Sequence, residues 1–350
     1  MTENERRILR VLSLAEPLSK RDITRQCGIG WATAVKLISH LEEEAYVFPS
    51  GNERQNQAGK SATVYALSSK KPVALGIDVE YERSCLNAKN LLHECLFEIK
   101  KETPYFLGPS DLLTFLDSLL QEGLKEAQKL ELYIEGVGIG IPNRLFSRQS
   151  VPYNDIAERL SERCHLPVFV DNNIRCFTAA VASLKPPNVS MLIVTIRSGI
   201  GVGIVIDGKI YRGERGGSGE MGHFSVASWP HSIKCHCGKT GCLETIVNHN
   251  NLLSDLRLAE QGDTFAKKRI VKAAVLLGEA MASMMLVLDI QSVAIYTDLG
   301  DIEQSLLKYI HQSISKTVYP GFEFELCHEK LDAKVYVTGA ARLVLDQFVF

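Results

Sequence analysis

Apolar residues recur at helical spacing from the start of the chain. Ile8, Leu9, Val11, Leu12 and Leu14 are apolar, with Arg6, Arg7 and Arg10 between them, which predicts an amphipathic helix from Asn4 to Leu14. Pro17 ends it. Ser19 is placed to cap a short helix, "KRDITRQCG", with Ile23 inward. Gly28-Ile29-Gly30 predicts a tight turn. "WATAVKLISHLEEEAYV" predicts a longer helix with Val35, Ile38, Leu41 and Ala45 on one face. Val47-Phe48, the polar tip "PSGNERQNQAGKSA" and the alternating "TVYALS" then predict a β-hairpin, and "SSKKP" a linker.

From Pro72 the rhythm changes. "VALGIDVE" and "IEGVGIGIP" read as buried strands, "SCLNAKN" and "ECLFEIKKE" as a meander, and "SDLLTFLDSLLQEGLKEAQKL" as an amphipathic helix. "NDIAERLSERCH" is a helix, "LPVFVDNN" a strand and "CFTAAVASL" a helix. "VSMLIVTIRSGIGVGIVIDGKIYRGERG" is two long strands about a glycine turn. A long helix over "FAKKRIVKAAVLLGEAMASMMLVL", the strand "SVAIYT", the helix "IEQSLLKYIHQSIS" and the strand "AKVYVTGAA" complete the pattern. Strands alternating with helices predict an α/β protein. The pair "GIDVEYE" and "TIRSGIGVG" suggests two similar halves.

Three helices, the last two joined by a glycine turn and followed by a hairpin, form the winged helix-turn-helix pattern. In such a domain the start of the third helix enters the major groove. Trp31, Thr33, Ala34 and Lys36 are then expected to face DNA, and Lys20, Arg21 and Arg25 to meet phosphates. Arg54 and Lys60 at the wing tip are placed for a backbone or minor groove. Trp31 could equally be a core residue. The acidic run at 42–44 leaves a protein-interaction module as the other reading of the three helices.

Length and charge narrow the class. A chain of 350 residues suggests two or three domains, and 45% hydrophobic content is ample for a core. A net charge of -2 excludes a basic nucleic-acid binder overall, though not one basic domain. No stretch approaches 18 uninterrupted apolar residues, so no membrane partner is expected. The nine cysteines include six scattered ones and three clustered ones, which argues against a disulfide framework and for a reducing cytoplasmic setting.

The clustered three are Cys235, Cys237 and Cys242, spaced Cys-x-Cys-x4-Cys, with His223 twelve residues before the first. Three thiolates and one imidazole satisfy tetrahedral zinc, and four protein ligands leave no open position, so the ion is expected to be structural. His231 and His236 are alternative nitrogen ligands.

Together "GIGIP", "PVFVDNN", "SGIGVGIVIDGKIYRGERGGSGEMGH", "CHCGKTGCLE" and "VTGAA" resemble the ROK family of repressors, open reading frames and sugar kinases. With a winged helix ahead, the chain resembles its xylose- and N-acetylglucosamine-repressor branch. The resemblance implies residues 1–70 as a DNA-binding domain and 71–350 as a two-lobed actin-like, ribonuclease H-like domain. Its lobes would be roughly 71–175 with the C-terminal end, and 176–335. It favours His223 as the fourth zinc ligand, and implies sugar contacts from Asn172, Asn173, Glu220, His223 and Glu244. His223 would serve zinc with one ring nitrogen and sugar with the other.

The resemblance also exposes departures. The family's kinases carry an Asn-Asp pair whose Asp is the general base. Here the pair falls on Asn172-Asn173, and an amide cannot accept a proton at neutral pH, while Asp171 is out of register. The first phosphate loop of the kinases reads Asp-x-Gly-Gly-Thr, whereas Asp78 is followed by Val79-Glu80-Tyr81-Glu82. The second keeps Gly199, Gly201 and Gly203 but has Arg197-Ser198 for Gly-Thr. The insert after "GIGIP" is short, with Asn143 at the usual Gly position. These features predict a catalytically inactive, sugar-responsive repressor acting on operator DNA as a homodimer or dimer of dimers. An active ATP-dependent sugar kinase with an appended DNA-binding domain, and a DNA-binding protein with no effector, are the alternatives.

Overall fold

The structure is a computed structural model. It describes all residues except 15–16, 54–61, 144, 146–150, 187, 227–232, 300–302 and 350. The described chain forms two compact units. One comprises Met1–Ile141, Pro152–Asp171 and Val337–Phe350; the other comprises Pro142–Val151 and Asn172–Tyr336.

The first unit opens with α1 (Glu3–Leu14), β1 (Leu18–Ser19), α2 (Lys20–Cys27), α3 (Trp31–Glu43), β2 (Val47–Glu53) and β3 (Ala62–Leu67). The strands pair antiparallel in the order β1-β3-β2, which makes a winged helix-turn-helix. Local chemistry sets each helix start. Thr2 and Glu5 form a reciprocal capping box on α1: Glu5 N–H donates to Thr2 Oγ1 at 3.3 Å and Thr2 N–H to Glu5 Oε2 at 2.6 Å. Ser19 caps α2 by accepting from Asp22 N–H at 3.3 Å. Gly28, at φ 64°, closes α2, and Gly30 starts α3. Ile8, Leu9, Leu12, Ile23, Ile38 and Leu41 fill the core between the helices. Two expectations need correction. Ala45 is not on the inner face of α3, because the helix ends at Glu43 and Ala45 turns at φ 61°. Ala34 does not face outward but is fully buried, in line with Ile38 and Leu41.

The same unit continues with β4 (Val73–Asp78), β5 (Arg83–Asn90), β6 (Cys95–Glu102), α4 (Pro109–Lys129), β7 (Ile134–Ile141), α5 (Tyr153–Cys164) and β8 (Val168–Asn172). The sheet order is β6-β5-β4-β7-β8, with β6, β5 and β4 antiparallel and β4 parallel to β7.

The second unit contains α6 (Asn173–Ala182), β9 (Met191–Ile196), β10 (Ile200–Ile206), β11 (Lys209–Ile210), α7 (His249–Glu260), α8 (Thr264–Leu288), β12 (Ser292–Thr297), α9 (Glu303–Thr317) and β13 (Glu325–Lys330). Its sheet runs β11-β10-β9-β12-β13. Both sheets therefore repeat one topology: a three-stranded meander whose first strand then pairs in parallel with the fourth. That duplication gives the two similar halves expected from sequence. Among the described residues α8 alone is long and apolar enough to cross a membrane. Its Ile270, Ala274, Leu277, Met281 and Met285 are buried in the core of this unit, which accounts for its apolarity.

The segment expected as a strand, "AKVYVTGAA", is instead helical: α10 spans Ala333–Leu345. Its β-branched run suggested a strand, but the sheet of the first unit offers it a groove floored by glycine. A Cβ at Gly76 would strike the Val337 carbonyl, and one at Gly138 the Ala340 carbonyl. Only glycine in β4 and β7 lets this backbone lie so close. The far end of α10 joins the winged helix. Ala341, Val344 and Leu345 share one cluster with Ile8, Leu9, Leu12, Ile38 and Leu41. The junction is reinforced by Tyr46, which packs on Phe348, donates to Glu135 Oε1 at 3.0 Å, and carries the Lys71 ammonium 4.5 Å from its ring centre.

Candidate functional site

The winged helix presents a basic cleft. Ser19, Lys20, Arg21, Asp22, Arg25, Trp31, Ala62, Thr63 and Tyr65 line a volume of about 650 Å³. Burial of Ala34, Ile38 and Leu41 fixes the rotation of α3, so Trp31, Thr33 and Lys36 lie exposed on its outer face. Trp31 is 56% exposed and is not a core residue. Arg21 and Arg25 are exposed and Lys20 half-buried. Arg25 pairs with Asp22 at 2.7 Å, and Lys20 Nζ stands 5.1 Å from the centre of the Tyr65 ring. Arg54 and Lys60 lie outside the described residues.

The second site is in the second unit. Met221–His223 form a single 3-10 turn, which brings His223 beside the cysteine loop. That loop is tied by bridges between Ser225 and Cys242 and between Lys234 and Thr240. Gly238, at φ 93°, turns it back on itself. One ligand atom each from His223, Cys235, Cys237 and Cys242 falls within 4.8 Å of the others, a cluster able to hold a metal. Cys237 Sγ and Cys242 Sγ are 3.6 Å apart, and Cys235 Sγ and His223 Nδ1 are 3.7 Å apart. A tetrahedron with ~2.3 Å metal–sulfur arms has edges of about 3.8 Å, so the donors match such a site in type and spacing. Burial, reinforced by Glu244, pushes the Cys235 thiol far up, and burial also raises Cys242. A cation placed among them reverses that cost, since a coordinated thiol is held as thiolate.

His223 faces two ways. Nδ1 turns to Cys235, while Nε2 lies 3.5 Å from Glu220 Oε2. Glu220 also accepts from Asn143 Nδ2 at 2.8 Å, so the residue at the family's Gly position touches the very carboxylate expected to meet a sugar. Glu244 is placed differently from its neighbour. Its Oε1 lies 2.9 Å from Cys235 Sγ, 3.2 Å from His223 Nδ1 and 3.4 Å from His236 Nδ1. The carboxylate is thus directed onto the cysteine cluster, and Gly199 and Gly222 leave room for it: a Cβ at either would stand 2.8 or 3.1 Å from Oε2. His236, an alternative nitrogen ligand in the sequence, reaches Glu244, and with His223 and Glu244 forms a second group of possible donors. His231 lies outside the described residues.

Asn172 is the N-cap of α6: its Oδ1 accepts from Ile174 N–H at 2.9 Å, and the residue is buried. Asn173 is the first residue of that helix. Around the second glycine loop, Arg197 stacks 4.1 Å over the Tyr336 ring. A Cβ at Gly203 would collide with Thr178 of α6, so this glycine serves helix packing. Two relationships had no sequence signal that spacing alone could supply. They are the Asn143–Glu220 contact and the Arg197–Tyr336 stack, each joining residues far apart in the chain.

With this geometry in hand, the chain can be compared with known proteins. The ROK family pattern matches residues 141–347, more than half of the chain. The xylose repressor of Bacillus spizizenii is 22% identical over 374 aligned positions, covering 99% of this chain and 96% of that protein. The crystal structure of a ROK family transcriptional regulator, described as a homologue of the E. coli MLC protein, aligns with a TM-score of 0.76 at 20% identity, covering 99% and 96% of the two chains. The ROK hexokinase of Thermus thermophilus aligns with a TM-score of 0.61 at 25% identity, covering 79% of this chain and 99% of the hexokinase. The hexokinase is thus matched nearly throughout, whereas the regulator is matched along the whole of this chain. The chain belongs to the ROK family.

Proposed function

We propose that the protein is a sugar-responsive transcriptional repressor, with residues 1–70 binding operator DNA and residues 71–350 sensing a small-molecule sugar or sugar derivative. The observation that carries this reading is the end-to-end likeness to repressors, winged helix included. Lys20, Arg21, Arg25, Arg54 and Lys60 would meet phosphates, and Trp31, Thr33 and Lys36 the groove. His223, Cys235, Cys237 and Cys242 would hold zinc, which supplies charge and rigidity here. Four protein ligands leave it no open position for a substrate. Glu220, His223, Asn172, Asn173 and Glu244 would form the effector site. A winged helix covers one half-site, so the operator-bound form would be a homodimer or dimer of dimers, in the cytoplasm.

A kinase reaction is disfavoured by the chemistry of the residues in its place. Asn173 offers no base. In the first loop Glu80 Oε1 accepts from Tyr81 N–H at 3.0 Å, so a carboxylate takes an amide that a phosphate would need. A gel shift on promoter DNA with a panel of sugars tests the proposal. Specific binding modulated by one sugar is expected; no specific binding in any ligand state overturns it. The second reading, an ATP-dependent sugar kinase, requires steady ADP release with a sugar present.

A further inference from the structure

The outer face of α3 has an unusual chemistry for a recognition helix. Its exposed positions in the first two turns are Trp31, Ala32, Thr33 and Lys36. Bidentate recognition of guanine by Arg, or of adenine by Asn or Gln, is the usual route to base specificity. None of these side chains occurs between Trp31 and Ile38. The largest group presented is an indole, 56% exposed and set among Lys20, Arg21 and Arg25. Cations around it suit a polyanion, and the indole itself demands an apolar partner within that polyanion. On the major-groove edges of the base pairs the one apolar group is the 5-methyl of thymine.

We infer that Trp31 is a specificity-determining residue that reads thymine methyl groups in the major groove, assisted by Ala32 and the Thr33 methyl. The inference rests on the DNA-binding reading above. Half-sites would then be selected by apolar contact at thymine, with Lys36 as the main hydrogen-bond donor toward base edges.

The test begins by selecting duplexes for the full-length protein from a random double-stranded library. Affinities are then measured by fluorescence anisotropy for the best duplex and for the same duplex with deoxyuridine in place of thymidine, which removes only the methyl groups. The wild-type protein should lose about fourfold in affinity per contacted methyl. Trp31→Ala, a surface change, should keep the wild-type Tm and show a clearly smaller loss on the uridine duplex than the wild type does. Wild-type indifference to uridine overturns the inference while leaving DNA binding intact. So does an undiminished uridine effect in Trp31→Ala, which would trace that effect to duplex shape. Failure of any duplex to be enriched overturns the DNA-binding reading itself, and this inference with it.

Discussion

His223 Nε2 lies 3.5 Å from Glu220 Oε2, while the other nitrogen of the same ring faces the cysteine cluster. One imidazole therefore joins a group able to hold a metal to a carboxylate that lies outside it. Fixing one nitrogen on a metal fixes the tautomer and aim of the other. Glu220→Gln should keep a full zinc complement by elemental analysis yet weaken the effector's influence on DNA binding at least tenfold. His223→Ala should lose both. A Glu220→Gln variant with unchanged effector response would remove Glu220 from the sensing site.

Cys242 is fully buried, and its replacement breaks the donor set from inside. Cys242→Ser should lower bound zinc below one per chain. It should also cost several kcal/mol, seen as a fall of roughly 10 °C in Tm. Chelation of the wild-type protein should reproduce the shift, and added zinc should reverse it. Equal Tm values with and without chelator would mean that the loop folds without an ion.

Glu5 ties α1 to α3, with its Oε1 2.9 Å from His40 Nδ1. Burial raises its pKa, but hydrogen bonds from Thr2 and the contact with His40 outweigh this and bring it below the ordinary value of 4.5. The folded chain therefore binds this proton less readily than the unfolded one. Its stabilising contribution is complete above the ordinary carboxyl range and drains away as pH falls through the lower native value. Glu5→Gln should cost about 1 kcal/mol at pH 7. Its Tm should fall less steeply than that of the wild type below pH 5. Parallel Tm–pH curves for the two proteins would contradict this.

Gly138 and Gly217 differ in what a methyl group would meet. At Gly138 it would strike the Ala340 carbonyl of α10; at Gly217 it would meet open space. Gly138→Ala should destabilise by about 1–3 kcal/mol in urea titrations, and Gly217→Ala by less than about 1 kcal/mol. Equal effects would mean that α10 does not sit in its glycine groove in solution.

A carboxylate at position 173 should not by itself make the protein a kinase. Asn173→Asp supplies a carboxylate, but Glu80 still occupies the Tyr81 amide. ADP release from that variant should stay at background with glucose, xylose or N-acetylglucosamine. Turnover above background would show that the first loop still admits a triphosphate.

What the sequence makes legible is what is local. Ser19 and Gly28 announce both ends of α2 because capping depends on adjacent residues, and the cysteine spacing announces its cluster for the same reason. Tertiary placement hides the rest. Val335, Val337 and Thr338 look like a strand until the glycines of β4 and β7, some two hundred residues away, are seen to accept a helix. Glu244 follows a cysteine in the sequence, yet the aim of its carboxylate depends on the space left by Gly199 and Gly222. Nothing in the spacing around Asn172, expected as a sugar contact, announces that its oxygen accepts from Ile174 N–H at the start of α6.

Ile8 and Leu9 at one end of the chain share their core with Val344 and Leu345 at the other. During translation the winged helix therefore leaves the ribosome with one flank of its core uncovered. At ordinary elongation rates it waits on the order of tens of seconds for α10 to be made. Over that interval the nascent winged helix has all three of its helices but lacks the packing of α10, so it would reach its full stability only once α10 has emerged.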